Sequence, residues 1–424
     1  MEKIYWRKLD SSAKVFPLWS GKKYSSVFRI SVVLKEKVNP EILKTSVINT
    51  LDTYSEFKVK MKAGFFWYYL EKNNKEPIIQ IENDYPCKYI DYKKNNGYLF
   101  KVTYYRNKIN IDIFHSLTDG RGGIEFFKEI IYRYLESKNK NSNQTIRYTQ
   151  KEEYSTEDSY IKNYNKKIKS KRFIQSAYIL KGRKLEKGEI STTHYVINLK
   201  ELKKNAEEND VSLTTYLAAM TVYSIYQTNY KIHSGKNPIK ICIPVDLKNY
   251  IKSNTILNFF SYMTISVNLS QKKEYTFDEI LRLVEKEFKQ KLVKEEIEKT
   301  MTGNVKLGRF LPFRIIPLPI KYGIMRIVNK IIKLYATTTL SNIGKIEVEE
   351  KYKEDIEEFL LLVAPDEGEK IKCSICSFEN NLVYTITNIL EGKEIESKFF
   401  EILEENDIEV KIERNDDYVI SKNK

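Results

Sequence analysis

Only an imidazole changes charge near neutral pH without help from its surroundings, so the three histidines are the first places to look for proton transfer. His115 stands in Ile109-Asn110-Ile111-Asp112-Ile113-Phe114-His115-Ser116-Leu117-Thr118-Asp119-Gly120-Arg121-Gly122-Gly123. Ile109, Ile111 and Ile113 alternate with Asn110, Asp112 and Phe114, the period of a half-buried strand, and His115 shares the isoleucine face. Its imidazole therefore points inward. Glycines at 120, 122 and 123 let the backbone turn sharply before the helical run Ile124 to Leu135, so the stretch reads strand, loop, helix. One His-x-x-x-Asp-Gly string arises by chance in a chain this long at a frequency on the order of a few per cent, so its context must carry the argument. A purely structural alternative is open as well: Asp119 would cap the helix and His115 would be a satisfied core histidine. His194 and His233 sit alone.

Other chemistries find little support. Gly120-Arg121-Gly122-Gly123 is not a dinucleotide fingerprint, because Glu125 occupies the third glycine's place, and no Walker loop, H-E-x-x-H or G-x-S-x-G string occurs. Cys373-Ser374-Ile375-Cys376 lacks the second pair or spaced histidines that structural zinc needs, so no metal is expected. Four cysteines cannot make a disulfide framework. With 31 Tyr and 20 Phe among 424 residues the chain is folded, and its length fits two domains. No window is apolar enough to span a bilayer and the first residues lack a sustained apolar core, so a cytoplasmic location is expected. A net charge of +15 fits nucleic acid, an acidic membrane face, an acidic carrier protein or a phosphate-rich cofactor as partner. The lysines are dispersed and no nucleic-acid-binding module is recognisable, which argues against nucleic acid.

The elements that must position His115 can be read in order. A strand over 27–34 precedes a helix that Asn39-Pro40 opens and that runs to about Tyr54. Phe65-Phe66-Trp67-Tyr68-Tyr69-Leu70 is a dense aromatic strand candidate. Strands near 77–81 and 98–105 follow, and Arg106-Asn107-Lys108 turns the last into the His115 strand. From Lys162 to Lys187 ten Lys or Arg stand against one acid, marking a crossover. We divide the chain into an N-terminal subdomain (1–165), a basic linker (166–190) and a C-terminal subdomain (191–424). The second half brings strands at 192–199, 239–245, 259–267, 337–346, 371–378 and 382–389. Its helices are 212–227, entered through Val211-Ser212, then 276–299 and 395–405. Residues 303–336 are strongly apolar, with seven Lys or Arg and no acid. They read either as an amphipathic element that touches membrane or walls a greasy channel, or as a helix packed on the core with its lysines in water. Prolines at 312, 317 and 319 favour the second.

Phe114-His115-Ser116-Leu117-Thr118-Asp119-Gly120 closing a strand and opening a helix resembles the H-H-x-x-x-D-G signature of the chloramphenicol acetyltransferase-like superfamily, which includes condensation domains and plant-type alcohol acyltransferases. Further strings resemble its bacterial alcohol acetyltransferase-like branch: Pro244-Val245-Asp246-Leu247-Lys248, Asn258-Phe259-Phe260, Thr339-Leu340-Ser341-Asn342-Ile343-Gly344 and the aromatic run from Gly64. The resemblance covers almost the whole chain. It departs at Phe114, which replaces the first histidine, at Lys248, where relatives tend to have arginine, and in lacking the D-F-G-W-G string. The arginine that usually partners the motif aspartate is not identifiable in the sequence.

The resemblance implies an α+β (mixed α/β) fold of two subdomains. Each is a mainly antiparallel or mixed sheet flanked by helices, with a tunnel between them. It implies an O-acyltransferase that moves an acyl group, acetyl in the first instance, from a CoA or acyl-carrier-protein thioester to a small alcohol. His115 would be the general base, Asp119 the brace of the loop and Gly120 the residue leaving room beside the site. Ser341, Thr339 and Asn342 are the oxyanion candidates, and Phe66, Tyr68 and Phe259 the tunnel candidates. No permanently bound cofactor is expected, the chain is expected to be a monomer, and transient membrane contact is compatible with its charge. Two alternatives stand beside this: an amide-forming condensation-like enzyme using a carrier-bound acyl group, and a non-catalytic basic scaffold at a membrane surface.

Overall fold

The structure, a computed structural model, describes residues 6–21, 24–139, 154–168, 175–309, 311–332 and 334–414. Part of the expected basic linker, 169–174, therefore lies outside the described residues. The strands of the first third are β1 (Trp6–Lys8), β2 (Val27–Leu34), β3 (Val59–Ala63), β4 (Tyr68–Lys72), β5 (Ile79–Ile81), β6 (Phe100–Tyr105) and β7 (Lys108–Phe114). Then come β8 (Ser191–Asn198), β9 (Ile239–Asp246), β10 (Phe260–Val267), β11 (Thr338–Lys345), β12 (Ile356–Val363), β13 (Ile371–Phe378), β14 (Asn381–Asn388) and β15 (Val410–Arg414). The helices are α1 (Phe16–Trp19), α2 (Pro40–Thr53), α3 (Gly120–Lys138), α4 (Ser159–Lys162), α5 (Leu199–Glu208) and α6 (Leu213–Ile225). After them follow α7 (Phe277–Lys291), α8 (Lys294–Arg309), α9 (Leu311–Ile315), α10 (Leu318–Ile332), α11 (Glu350–Lys353) and α12 (Glu394–Glu405). Among the described residues, no helix is long and apolar enough to cross a membrane.

Two large mixed sheets carry the two cores. One runs β12-β2-β7-β6-β5 and the other β10-β9-β11-β13-β14-β8-β15, while β1-β4-β3 forms a small third sheet. Pairing is antiparallel except between β5 and β6, β9 and β11, and β11 and β13. β12 follows residue 191 in sequence yet pairs antiparallel with β2. It is tied to the second sheet through Ser374, whose hydroxyl donates to the carbonyl of Leu361. The sequence patterns above do not include this strand.

β7 departs from the half-buried expectation in an instructive way. Both its faces are buried, because the polar residues between its isoleucines enter an ion network rather than water. The Arg29 guanidinium donates to both oxygens of Asp112, at 2.9 and 2.6 Å, and to Glu82 at 2.7 Å. Ser31 and Glu82 bind Asn110. Fork-shaped pairing of this kind makes a buried charge tolerable. The strand that aims His115 is thereby held on both sides.

The aromatic run is divided: residues 65–67 make the turn of the β3–β4 hairpin, and Tyr68, Tyr69 and Leu70 begin β4 as a strand. Gly64 donates to the carbonyl of Trp67 at 3.0 Å, and a Cβ at 64 would lie 2.7 Å from that same oxygen. The expected long helix over 276–299 is broken at 292–293 into α7 and α8. Helix α6 begins as expected, with Ser212 capping Thr215, and ends in a π turn over Tyr226–Tyr230. Segment 303–336 does pack, through Leu318 and Met325 on Leu18, but its lysines do not all face water. Lys321 is fully buried, its ammonium 3.5 Å from the Trp67 ring centroid and donating to the carbonyl of Phe66 at 2.7 Å. Burial lowers its pKa to about 8.

Candidate active site

β7 ends one residue before His115, whose backbone amide donates to the Ser26 carbonyl. Its ring is clamped among Phe16, stacked at 4.8 Å, Phe28 at 5.1 Å and Phe260 at 5.3 Å. These walls withdraw the imidazole from water, and that burial lowers its pKa. The ring therefore stays neutral at physiological pH.

Its tautomer is set by one side chain. Nδ1 lies 3.0 Å from Oδ1 of Asn258. The Asn258 amide nitrogen donates to two groups that accept, the carbonyl of His115 and Oδ2 of Asp10, each at 3.0 Å. That fixes which way the amide points, leaves its oxygen facing Nδ1, and so places the proton on Nδ1. Nε2 carries the free lone pair. Asp10 is anchored in turn by the amides of Ser12 and Ala13, at 2.9 and 2.7 Å, and burial raises its pKa to about 6. A cleft of about 370 Å³, lined by Arg7, Lys8, Lys14 and Asp158 among others, opens beside it.

Asp119 performs three holding tasks at once. One oxygen caps α3 through the amide of Gly122 at 3.0 Å, and the other accepts the amide of Phe259 at 3.0 Å. Lys248 reaches the same carboxylate at 3.3 Å, both side chains being almost fully buried. Among the described residues, Lys248 is the cation paired with this carboxylate. Arg121 and Asp246 form a second, more exposed pair at 3.1 Å. The motif loop and the Pro244–Lys248 string thus dock through reciprocal ion pairs, and Thr118 adds a hydrogen bond to the carbonyl of Ile256. Gly122 has no room for a Cβ between Thr118 and that carbonyl, which explains a glycine there.

The second half presents β11 to this loop. A Cβ on Gly120 would meet the Ile343 side chain at 3.2 Å, so the motif glycine lies against β11. Alternation puts Thr339 and Ser341 on one face of β11, whose register shifts between Asn342 and Lys345, just past them. Thr339 is committed to Glu369 at 2.6 Å, beside the buried Lys372, which pairs with Asp366 and Glu369. The Asn342 carboxamide turns away, to Thr214 at 3.0 Å and the amide of Gly344 at 2.8 Å. Of the three oxyanion candidates, only Ser341 has a hydroxyl with no hydrogen-bond partner among the described residues.

The aromatic candidates are placed differently. Phe66 stands partly exposed at the hairpin turn, and Tyr68 bonds Tyr322 through its hydroxyl. Phe259 buries its ring against Tyr160 and lends Asp119 its backbone; the ring beside His115 is that of Phe260. Sequence reasoning gives no site role to Asp10, nor to Asn258 beyond its place in the Asn258-Phe259-Phe260 string, yet both reach the His115 ring through hydrogen bonds. A polar side chain between Leu257 and Phe259 in a buried stretch is the signal that singles out Asn258. The two cysteines of the C-x-x-C string are free and buried in different cores, and among the described residues no cluster could hold a metal.

The fold that carries this site is shared with solved structures. No family model matches the sequence, and no curated protein matches it. The chain superposes on polyketide synthase associated protein 5 from Mycobacterium tuberculosis with a TM-score of 0.63 at 13% identity, covering 94% of this chain and 96% of that one. For trichothecene 15-O-acetyltransferase of Fusarium sporotrichioides the TM-score is 0.60 at 9% identity, over 95% and 94% of the two chains. For TRI101 of the same fungus, solved with coenzyme A and T-2, it is 0.60 at 10%, over 96% and 99%. The chain therefore has the two-subdomain chloramphenicol acetyltransferase-like fold.

Proposed function

We propose that the protein is an acyltransferase that moves an acyl group from a thioester to a hydroxyl, with His115 as general base. The observation that carries this reading is the 3.0 Å contact between Oδ1 of Asn258 and Nδ1 of His115, with the Asn258 amide nitrogen held by two acceptors, an arrangement that favours the proton on Nδ1 and leaves Nε2 as the base. In the reaction Nε2 takes the proton of the acceptor hydroxyl as its oxygen attacks the acyl carbonyl. The carbon–sulfur bond then breaks and the same imidazole returns the proton to the departing thiolate. No acyl-enzyme is needed. Ser341 is the donor best suited to meet the oxyanion, its hydroxyl being uncommitted among the described residues and its strand, β11, reaching Gly120 through Ile343 two residues on. Asp119 and Lys248 hold the loop. The coenzyme A complex of a protein with the same fold supports CoA as donor. Lys8 and Lys14, in the cleft beside Asp10, offer charge for its phosphates.

The test is thiol release from acetyl-CoA across a panel of alcohols and amines, comparing wild type with His115→Ala. An alcohol-dependent release that falls about 10²- to 10⁴-fold in the variant is expected. Equal release by both proteins removes His115 from the chemistry; release with amines alone replaces the hydroxyl acceptor by an amine.

A further inference from the structure

The stretch 303–336 has a second apolar surface that the acyltransfer reading does not use. α10 buries Leu318, Lys321 and Met325 against α1 and the β3–β4 hairpin. Its opposite stripe is also apolar: Ile320 and Ile327, two turns apart, are 57% and 66% exposed. Ile315 of α9 is 61% exposed and Phe65 of the hairpin turn 71%. The hairpin turn is joined to the start of α10, where the amide of Leu318 donates to the carbonyl of Phe65 at 2.9 Å, and Phe65 packs edge-on against Phe66. A helix that buries a lysine on its inner face while isoleucines on its outer face meet water reverses the usual placement of charged and apolar side chains. Such a face normally has something that covers it.

Charge decides the occupant. Arg314 and Arg326, next in sequence to Ile315 and Ile327, are exposed, as are Lys62 on the hairpin strand β3 and Lys306 on α8, and 303–336 contains no acid. Lys306, Arg314 and Arg326 have no ion-pair partner among the described residues. A second copy docking on the same face would bring these cations together, which is unfavourable for a twofold interface. A bilayer with anionic headgroups accepts both features, apolar side chains sinking below the headgroups and cations meeting phosphates. We propose that Phe65, Phe66, Ile315, Ile320 and Ile327 form a docking surface for an anionic lipid bilayer. The surface lies one layer from the site: Leu18 of α1 packs against Leu318, and Phe16 of the same helix stacks on His115. Docking would hold the reaction centre close to the lipid, and it does not depend on which group is transferred.

The test is flotation of the full chain with vesicles of phosphatidylcholine, with and without phosphatidylglycerol. Wild type is expected to float with the anionic vesicles and, in high salt, to be retained less. The Ile320→Glu/Ile327→Glu double variant should lose roughly tenfold or more of this partition, and Arg314→Glu/Arg326→Glu should lose the preference for anionic lipid, both with unchanged circular dichroism and melting. Wild type remaining in the aqueous fraction with both vesicles, or the isoleucine variant floating as well as wild type, overturns the proposal. So does a wild-type dimer in light scattering that the isoleucine variant converts to monomer without any change in lipid binding.

Discussion

The His115 loop and the α10 face solve opposite problems. Around the loop, polar groups are buried and every one that positions the imidazole is partnered: Asn258 by three groups, Asp119 by Gly122, Phe259 and Lys248. On α10, apolar groups are exposed while Lys321 is buried, its charge offset by a ring and a carbonyl. The comparison teaches where free energy is stored. Fully satisfied buried polar networks fix one geometry, at the risk of a heavy cost if one member is lost. An exposed apolar stripe adds little to folding and keeps its contribution for whatever covers it.

The largest effect should follow from breaking the loop's network where it touches chemistry. Asn258→Leu removes the acceptor at Nδ1, so the proton is free to sit on Nε2 and the base is lost in that fraction of molecules. We expect kcat to fall about 10²-fold or more with little change in KM. Asp10→Asn should act on the same atom from further away. Its new amide would face the Asn258 amide, and relieving that clash by flipping Asn258 would turn a donor toward Nδ1. A kcat like wild type in both variants would show that the Nδ1 contact does not control the tautomer.

Next comes stability. Asp119→Ala leaves the Lys248 ammonium buried without its carboxylate and uncaps α3, for an expected loss of about 3–5 kcal/mol in denaturant unfolding. Adding Lys248→Met should recover part of that loss, since the pair would be replaced by an apolar contact. A stable but inactive Asp119→Ala protein would instead give the aspartate a direct part in the reaction.

The pH dependence is smaller and has a definite sign. Because burial depresses the His115 pKa, the imidazole remains a base as pH falls through 6.5, and the acidic limb of kcat/KM should lie below that value. In the same window the unfolded chain binds the histidine's proton first, so this contribution to stability is lost on acidification through the folded pKa. Asp10 works the other way. Its pKa, raised from 3.8 to about 6, makes the folded state bind the extra proton, so its contribution is present below 3.8 and is lost as pH rises through about 6. An acidic limb at or above 6.5 would mean that water reaches the imidazole.

Sequence showed the loop far better than its partners, for a physical reason. The inward aim of His115 and the turn after it are local, set by strand alternation and three glycines. Asn258 lies 143 residues from His115, and Asp10 lies 248 residues from Asn258, so no periodicity links them. Lys248 was visible as a departure from arginine, but its pairing with Asp119 depends on how two strings dock. β12 was hidden because its apolar run is read only when β2 needs an edge partner. A lysine is expected in water by its type, and the cage that buries Lys321 comes from a hairpin turn about 255 residues earlier.

The smallest effect sharpens the other side of the comparison. Ile327→Ser removes an apolar group that is already two-thirds in water, so unfolding free energy should change by no more than about 0.5 kcal/mol. Met325→Ser, two residues away and buried against Leu18, is the matched control and should cost about 2–5 kcal/mol. If the exposed substitution costs as much as the buried one, the outer stripe of α10 is covered within the folded chain itself. A near-zero value beside a costly control leaves the stripe free, its apolar contribution available to a surface outside the chain.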